Sequence, residues 1–281
     1  MGLIGGSGVY DVKAIEGLCE EIIETPFGPP SDSYFVGTLA GVPVAFLSRH
    51  GRGHRLSPTE INYRANIWGF KALGCDALLS ASAVGSLREE DAPRRAVIPD
   101  QFIDRTRHRP DTFFGDGLVA HVSFAEPVCP SLSRALEEAA GASDLPARRG
   151  GTYLCMEGPQ FSTRAESLLY RSWGADVIGM TNLTEAKLAR EAEICYATLA
   201  LVTDYDAWRK SEQPVSVETV VAILGENSAA ARRTMREAVV RVSPDRDCRC
   251  RHALRDAILT DRNVISEETR RRLAPLVGKY L

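Results

Sequence analysis

The stretch Ile194-Cys195-Tyr196-Ala197-Thr198-Leu199-Ala200-Leu201-Val202 runs directly into Thr203-Asp204-Tyr205-Asp206-Ala207-Trp208. Its length and its β-branched and aromatic content read as a buried strand. If that strand continues past Val202, side chains at i and i+2 share a face, so Asp204 and Asp206 converge on one spot. Like charges held that close are expected to raise one of the two pKa values. A protonated acid beside an ionised acceptor suits a ligand edge with adjacent donor and acceptor nitrogens, such as the N6/N7 edge of adenine. A polar turn closing a strand is the simpler alternative, since Asp is common there.

Working outward, strand-like and helix-like runs alternate along the whole chain, which predicts an α/β fold. Strands are expected at 3–4, 33–37, 42–47, 77–82, 95–98, 117–121, 151–156, 177–180 and 195–202, and helices at 57–73, 131–141, 162–172, 184–193 and 216–240. Ser57-Pro58-Thr59-Glu60 carries a Ser cap, a Pro and a Glu at helix-start spacing. Several helices thus begin just after a strand, where free backbone N–H groups gather to hold anions.

The 281 residues fit one large α/β domain or two small ones. A net charge of -3 gives no global reason to bind nucleic acid or an anionic membrane. No apolar run is long enough to span a bilayer, and residues 1–8 lack a leader pattern, so the cytoplasm is the expected compartment. Of seven cysteines, Cys75, Cys155 and Cys195 sit in apolar segments and read as reduced packing residues. Cys248-Arg249-Cys250, with His252 close by, admits a local disulfide or a reduced pair. A metal clip would need further ligands at recognisable spacing, and the expectation is no metal.

Several loops after strands carry anion-type donors. Gly5-Gly6-Ser7-Gly8 is a small Gly-rich turn, not a dinucleotide fingerprint or a Walker loop. Ser48-Arg49-His50-Gly51 offers a guanidinium fork and an imidazole. Ser82-Ala83-Val84-Gly85-Ser86 is small and hydroxylated. Such loops can meet at one edge of an α/β sheet, where ligands usually lie. Each is also readable as an ordinary turn. Glu157-Gly158-Pro159 joins a strand to a helix, with Glu157 a candidate for a sugar hydroxyl and Phe161 for a base. Residues 243–281 are arginine-rich and read as an appended helical segment, with Arg270-Arg271-Arg272 a solvated face.

Taken together the chain resembles the 5′-methylthioadenosine phosphorylases of the trimeric purine nucleoside phosphorylase superfamily. The resemblance rests on Gly5-Gly6-Ser7-Gly8-Val9-Tyr10-Asp11, Arg49-His50-Gly51, Asn62-Tyr63-Arg64-Ala65-Asn66, Gly85-Ser86-Leu87-Arg88-Glu89, Asp100-Gln101-Phe102-Ile103-Asp104, Glu157-Gly158-Pro159, Met180-Thr181 and Thr203-Asp204-Tyr205-Asp206. It implies a single phosphorylase domain over 1–281: a central mixed, partly barrel-like sheet surrounded by helices, assembled as a homotrimer. It also implies phosphorolysis of 5′-methylthioadenosine to adenine and 5-methylthioribose 1-phosphate, with no cofactor and with phosphate as co-substrate.

By motif, Ser7, Arg49, His50, Ser82, Ala83 and Thr181 would hold phosphate. Met180 would lie on the ribose and Phe161 on the base. Asp204 would donate to N7 and Asp206 would receive the 6-amino group. Val217, Val220 and Val221, with His121 from a neighbouring subunit, would enclose the methylthio group. Ser7 and Ser82 stand where some members carry Thr, and Thr184 where Pro is expected. The alternative is a 6-oxopurine nucleoside or 5′-methylthioinosine phosphorylase, against which the two acids speak. The partners expected are a small nucleoside and phosphate, with no nucleic acid and no membrane.

Overall fold

Strand β5 (Ala77–Ser86) and strand β11 (Cys195–Asp204) pair in parallel along most of their length and form the spine of one mixed sheet. The computed structural model describes residues 1–6, 14–209 and 216–281. The other strands are β1 (Gly2–Gly5), β2 (Glu16–Glu21), β3 (Tyr34–Leu39), β4 (Val42–Ser48), β6 (Ala96–Ile98), β7 (Gln101–Arg105), β8 (Ala147–Arg149), β9 (Thr152–Met156) and β10 (Val177–Gly179). The helices are α1 (Tyr63–Ala72), α2 (Pro130–Ala142), α3 (Arg164–Ser172), α4 (Asn182–Glu191), α5 (Val217–Arg241) and α6 (Glu267–Val277).

The sheet branches at β5. The first half of β5 pairs in parallel with β1, ending at Ala81, and beyond β1 lie β4, β3 and β2. Its last residues, Gly85 and Ser86, pair antiparallel with β10. The second limb runs β10, β9, β7 on one side and β11, β6, β8 on the other. The limb closes on itself because β6 continues into β7 and β8 into β9, with Gly150 N–H donating to the Ile98 carbonyl between the two ladders. That ring is the partly barrel-like element. Val84, Val97, Tyr153, Cys155, Val177, Ala200 and Val202 from its strands share one buried cluster.

The open limb is a sheet between two helical layers, and the pleat sorts its side chains between them. Leu3, Phe46, Leu79 and Ala197 face α2 and α5, meeting Leu136, Met235 and Val239. Their neighbours Ile4, Leu47, Leu78 and Tyr196 face the other way, toward Phe70 of α1, Ala189 of α4 and Leu273 and Leu276 of α6. Residues after 243 therefore contribute to this core. Arg272 donates to the Gly115 carbonyl at 3.1 Å, and Arg270 to the Ile265 carbonyl at 3.3 Å. Two of the three arginines expected as a solvated face thus tie down loops.

The expected strand at 117–121 does not form. Asp116 and Gly117 turn with φ of 48° and 98°, and only isolated bridges occur, Gly115 to Leu118 and Ala120 to Ile258. The expected helix at 57–73 begins at Tyr63 instead. Ser57 and Glu60 close their own turn, Ser57 N–H reaching Glu60 Oε2 at 2.9 Å, and Asn62 caps α1 by accepting from Ala65 N–H at 3.1 Å.

Candidate active site

The branch in the sheet makes a cleft. Between Ala81, where β5 parts from β1, and Gly85, where it meets β10, residues 82–84 pair with β11 on one side and, among the described residues, have no strand on the other. A cavity of about 610 Å³ opens there, lined from the ends of β1, β4, β5, β10 and β11 and by the first turns of α5. Arg49, His50, Ser82, Ala83, Phe161, Met180, Thr181, Asp204, Asp206, Val217, Val220 and Val221 all line it. Ser7 lies outside the described residues.

At the anion end, Thr181 is the N-cap of α4 and its side chain makes no cap hydrogen bond. The positive end of that helix therefore meets the cleft with a hydroxyl at its mouth. Arg49 is fully buried, and four of the five N–H donors a guanidinium carries are engaged. Nε and Nη2 donate to the two Glu185 oxygens, Nη2 also to Ser80 Oγ at 2.6 Å, and Nη1 to the Ala81 carbonyl at 2.9 Å. Burial opposes its charge, but the Glu185 carboxylate outweighs that and raises its pKa. The expectation of an open fork is thus corrected: most of this guanidinium is built into the floor.

Two other expected donors face the cleft as acceptors. His50 Nδ1 sits 2.9 Å from the Leu56 carbonyl, which can only accept, so this nitrogen carries the proton. Burial, reinforced by the Arg49 charge, pushes the imidazole down to about 4, so the ring is neutral at pH 7 with a lone pair on Nε2. Ser82 Oγ donates to Asn182 Oδ1 at 2.6 Å. Asn182 Nδ2 in turn donates to Ser80, Tyr196 and Thr198, at 2.8, 2.8 and 3.0 Å.

At the other end, β11 carries Asp204 at its last residue and Asp206 in the following turn. The two acids converge on the cleft, but not by simple alternation along a pleat. The pairing with β5 shifts between Val202 and Asp204, and Asp206 has φ of 50°. Asp204 accepts from Thr203 Oγ1 at 2.7 Å and from Asp206 N–H at 2.8 Å. Asp206 Oδ2 is buried without a hydrogen-bond partner among the described residues. Burial raises the Asp206 pKa, more than the nearby Ser167 and Ser162 hydroxyls lower it. One acid is raised, as expected, though removal from water is the leading cause rather than its neighbour's charge.

Gly85 makes room for this pair: a Cβ there would stand 3.0 Å from Asp204 Oδ1 and 3.2 Å from Asp206 Cβ. Gly158 has a similar role, since at φ of 69° its added Cβ would meet Met180 Sδ at 2.5 Å. Phe161 is 41% exposed and reaches the cleft from the loop before α3. Val217 and Val221 are 68% and 61% exposed on the cleft-side turns of α5.

With the cleft so arranged, its relatives decide the family. The sequence model of the phosphorylase superfamily matches residues 1–240. The chain belongs to the phosphorylase superfamily. It is 56% identical over 280 residues to the S-methyl-5′-thioadenosine phosphorylase of Koribacter versatilis, covering 100% of this chain and 96% of that one. It is 56% identical over 282 residues to the Geobacter sulfurreducens protein of the same name, covering 100% and 99%. Among solved structures, a methylthioadenosine phosphorylase from an Antarctic soil metagenomic library superposes with a TM-score of 0.93 at 50% identity, covering 98% of this chain and 97% of that one. The Schistosoma mansoni methylthioadenosine phosphorylase in complex with adenine gives 0.85 at 35%, covering 90% and 95%.

In this member of the phosphorylase superfamily, His121 does not line its own chain's cleft. It is exposed beside the Ala120–Ile258 bridge, its N–H donating to the Ala257 carbonyl at 2.9 Å. Glu157 is not a cleft residue either. It accepts from Thr59 Oγ1 at 2.6 Å, from the Arg107 and His108 amides and from Arg109 Nε at 2.9 Å. Burial pushes its carboxyl up, but these donors prevail and hold it at about 2. Arg109, which sequence reasoning missed, also donates to the Met180 carbonyl, so it fixes the loop beneath the cleft. The sequence pattern gives Glu185 and Asn182 no role at the site. Their i, i+3 spacing on α4 was the available signal, because it places both on one face.

Proposed function

We propose that the chain cleaves 5′-methylthioadenosine with inorganic phosphate, giving adenine and 5-methylthioribose 1-phosphate. The observation that carries this reading is that the α4 N-terminus with Thr181 and the Asp204–Asp206 pair open into one cleft large enough for a nucleoside and an anion. A crystal structure of a variant adenosine/methylthioadenosine phosphorylase from Schistosoma mansoni, in complex with methylthioadenosine, superposes at a TM-score of 0.83 and 34% identity.

Phosphate lies against Thr181, residues 82–84 and the one Arg49 N–H not used in the floor. His50 Nε2 and the Ser82 oxygen, as acceptors, suit the proton of a monohydrogen phosphate. The anion attacks the anomeric carbon and at the same time balances the positive charge that develops on the sugar ring. Orientation of this kind supplies several kcal/mol of barrier reduction. Adenine leaves with its negative charge quenched at N7 by a carboxyl proton, a contribution of about 3–5 kcal/mol if general acid catalysis has its usual weight. Burial favours the protonated form of Asp206, while Asp204 accepts from the Asp206 N–H, so the proton donor in this reading is Asp206, the reverse of the roles implied by resemblance. The Met180 carbonyl is taken by Arg109, which leaves its amide N–H for a ribose hydroxyl. This chemistry asks for no cofactor in the cleft.

Val217, Val220 and Val221 form the wall for the methylthio group, where a free 5′-hydroxyl would be left unpaired. The exposure of Val217, Val221 and His121 fits a homotrimer in which His121 of one chain reaches a neighbour's cleft. The deciding experiment follows phosphate-dependent release of free base from methylthioadenosine, methylthioinosine, adenosine and inosine. Methylthioadenosine should give the highest kcat/KM, with turnover lost when phosphate is omitted. Preference for methylthioinosine or inosine would establish the 6-oxopurine alternative, and base release in phosphate-free buffer would make the enzyme a hydrolase.

A further inference from the structure

Remote from the cleft, Cys129, Cys195, Cys248 and Cys250 bring their four Sγ atoms within 4.8 Å of one another. We propose that these four thiols form a structural tetrathiolate site for one thiophilic divalent metal ion of the zinc class. A tetrahedral ion with metal–sulfur bonds of about 2.3 Å places its sulfurs about 3.8 Å apart, so the cluster needs only a small adjustment around such an ion. The donor set is all sulfur, with no carboxylate or imidazole in the group, which selects zinc over magnesium, calcium or manganese. Three of the four side chains are buried and Cys248 is half-buried, so the site is closed, with no open position for a substrate.

The surroundings match the charge. Four thiolates on a divalent ion carry a net charge of -2. Arg190 Nη2 lies 3.9 Å from Cys250 Sγ, and the Arg246 guanidinium donates at 2.7 Å to the side chain of Asp76, whose carbonyl accepts from the Cys195 amide at 3.0 Å. Cys129 stands at the N-cap of α2, the positive end of that helix. Loading is balanced by proton release: each thiol gives up its proton as its sulfur bonds the ion, and no electrons change hands.

The ligands come from three places: the start of α2, the start of β11 and the turn at Arg249–His252. The sequence reading dismissed a clip because it looked for neighbours of Cys248 and Cys250 along the chain. The missing pair is distant in sequence and adjacent in space. The ion would fasten the segment beyond residue 240, where the superfamily match stops, to the base of the strand that carries Asp204. Closing loops of that length constrains the unfolded chain strongly.

Elemental analysis of the full-length protein, purified under reducing conditions without chelator, should find about one zinc per chain. Cobalt(II) loaded in its place should give intense thiolate charge-transfer absorption and tetrahedral d–d bands. Cys250→Ser should abolish those bands, whereas Cys19→Ser, at an exposed thiol outside the cluster, should leave them unchanged. Chelation should lower Tm. Wild-type protein that holds no stoichiometric metal and shows no charge-transfer band with cobalt overturns the proposal, whether its thiols titrate as free groups or as disulfides. So do cobalt bands that survive Cys250→Ser.

Discussion

The backbone N–H of Asp206 donates to Asp204 Oδ1 at 2.8 Å, so the turn that follows β11 holds one acid as an acceptor while burying the other. This division of labour predicts different losses from the two amides. Asp206→Asn keeps the shape but would remove the proton proposed to quench N7, and kcat should fall about 10²–10⁴-fold. Asp204→Asn turns an acceptor into a donor, and the ratio of kcat/KM for adenine over hypoxanthine nucleosides should shift toward the 6-oxo substrates. Steady-state kinetics on both substrates for both variants provides the check. Equal losses with no change in base preference would contradict the assignment.

Arg49 and Glu185 form a buried pair beneath the anion site. Removing one partner leaves a buried charge, so Arg49→Ala should cost about 3–5 kcal/mol of stability. It also leaves the Glu185 carboxylate facing the phosphate, and KM for phosphate should rise far more than KM for the nucleoside. The double replacement Arg49→Met with Glu185→Leu should recover most of the stability, as paired removal of buried charges often does, but not phosphate use. Calorimetry and phosphate titration of both variants separate the two effects. Recovery of phosphate use in the double variant would show that Arg49 serves only the fold.

Much of this was legible in the sequence where local pattern and final environment agree. Apolar runs became β4, β5 and β11 because those strands are largely buried. The three missed strands lack that signal: β2 reads Glu-Gly-Leu-Cys-Glu-Glu and is mostly exposed, β7 reads Gln-Phe-Ile-Asp-Arg with no fully buried residue, and β8 is three residues long. Val119 promised a strand, but its N–H donates to Thr260 Oγ1 and its carbonyl accepts from the Leu259 N–H, far along the chain, with no strand on either side.

 At the site, residue identities were readable and protonation states were not. Ser82 and His50 look like donors by type, yet Asn182 and the Leu56 carbonyl, both outside the motifs, commit their protons elsewhere. Only the three-dimensional partners decide which end of a hydroxyl or an imidazole faces a ligand.

The half-buried imidazole of His50 sets a pH dependence. Its pKa falls from 6.5 to about 4 on folding, so the neutral ring favours the folded state. That stability is complete above pH 6.5 and is lost as pH falls toward 4, because the unfolded chain takes up the proton first. By pH 4.5 the loss from this group alone should reach about 2–3 kcal/mol. Denaturant unfolding at pH 7.5 and 4.5 should therefore show a smaller drop for His50→Gln than for the wild type. Parallel drops would mean that the ring is not held neutral.

Gly85 lies under both acids, and Gly85→Ala should disturb the chemistry more than the fold. The added methyl must displace Asp204 Oδ1, Asp206 Cβ or Ile178 Cγ2, which stand 3.0–3.2 Å from its position. The neighbours must give by a few tenths of an ångström, a fraction of the 1 Å misplacement that costs on the order of 10²-fold. We expect kcat/KM to fall by less than that, on the order of 10-fold, while phosphate KM stays near the wild-type value, since the anion donors are at the other end of the cleft. A selective rise in phosphate KM would place the disturbance there instead.

The apolar wall on α5 should set the preference for the 5′ substituent. Val221 is 61% exposed on this wall, so replacing it perturbs little of the core. Val221→Ser puts a hydroxyl where the methylthio group would rest and gives a 5′-hydroxyl a partner. An apolar contact of this size is worth about 1–3 kcal/mol, or roughly 10–200-fold. The ratio of kcat/KM for methylthioadenosine over adenosine should fall within that range, with phosphate KM and Tm close to wild type. A ratio that does not move would remove Val221 from the specificity pocket and leave the 5′ group to be read elsewhere.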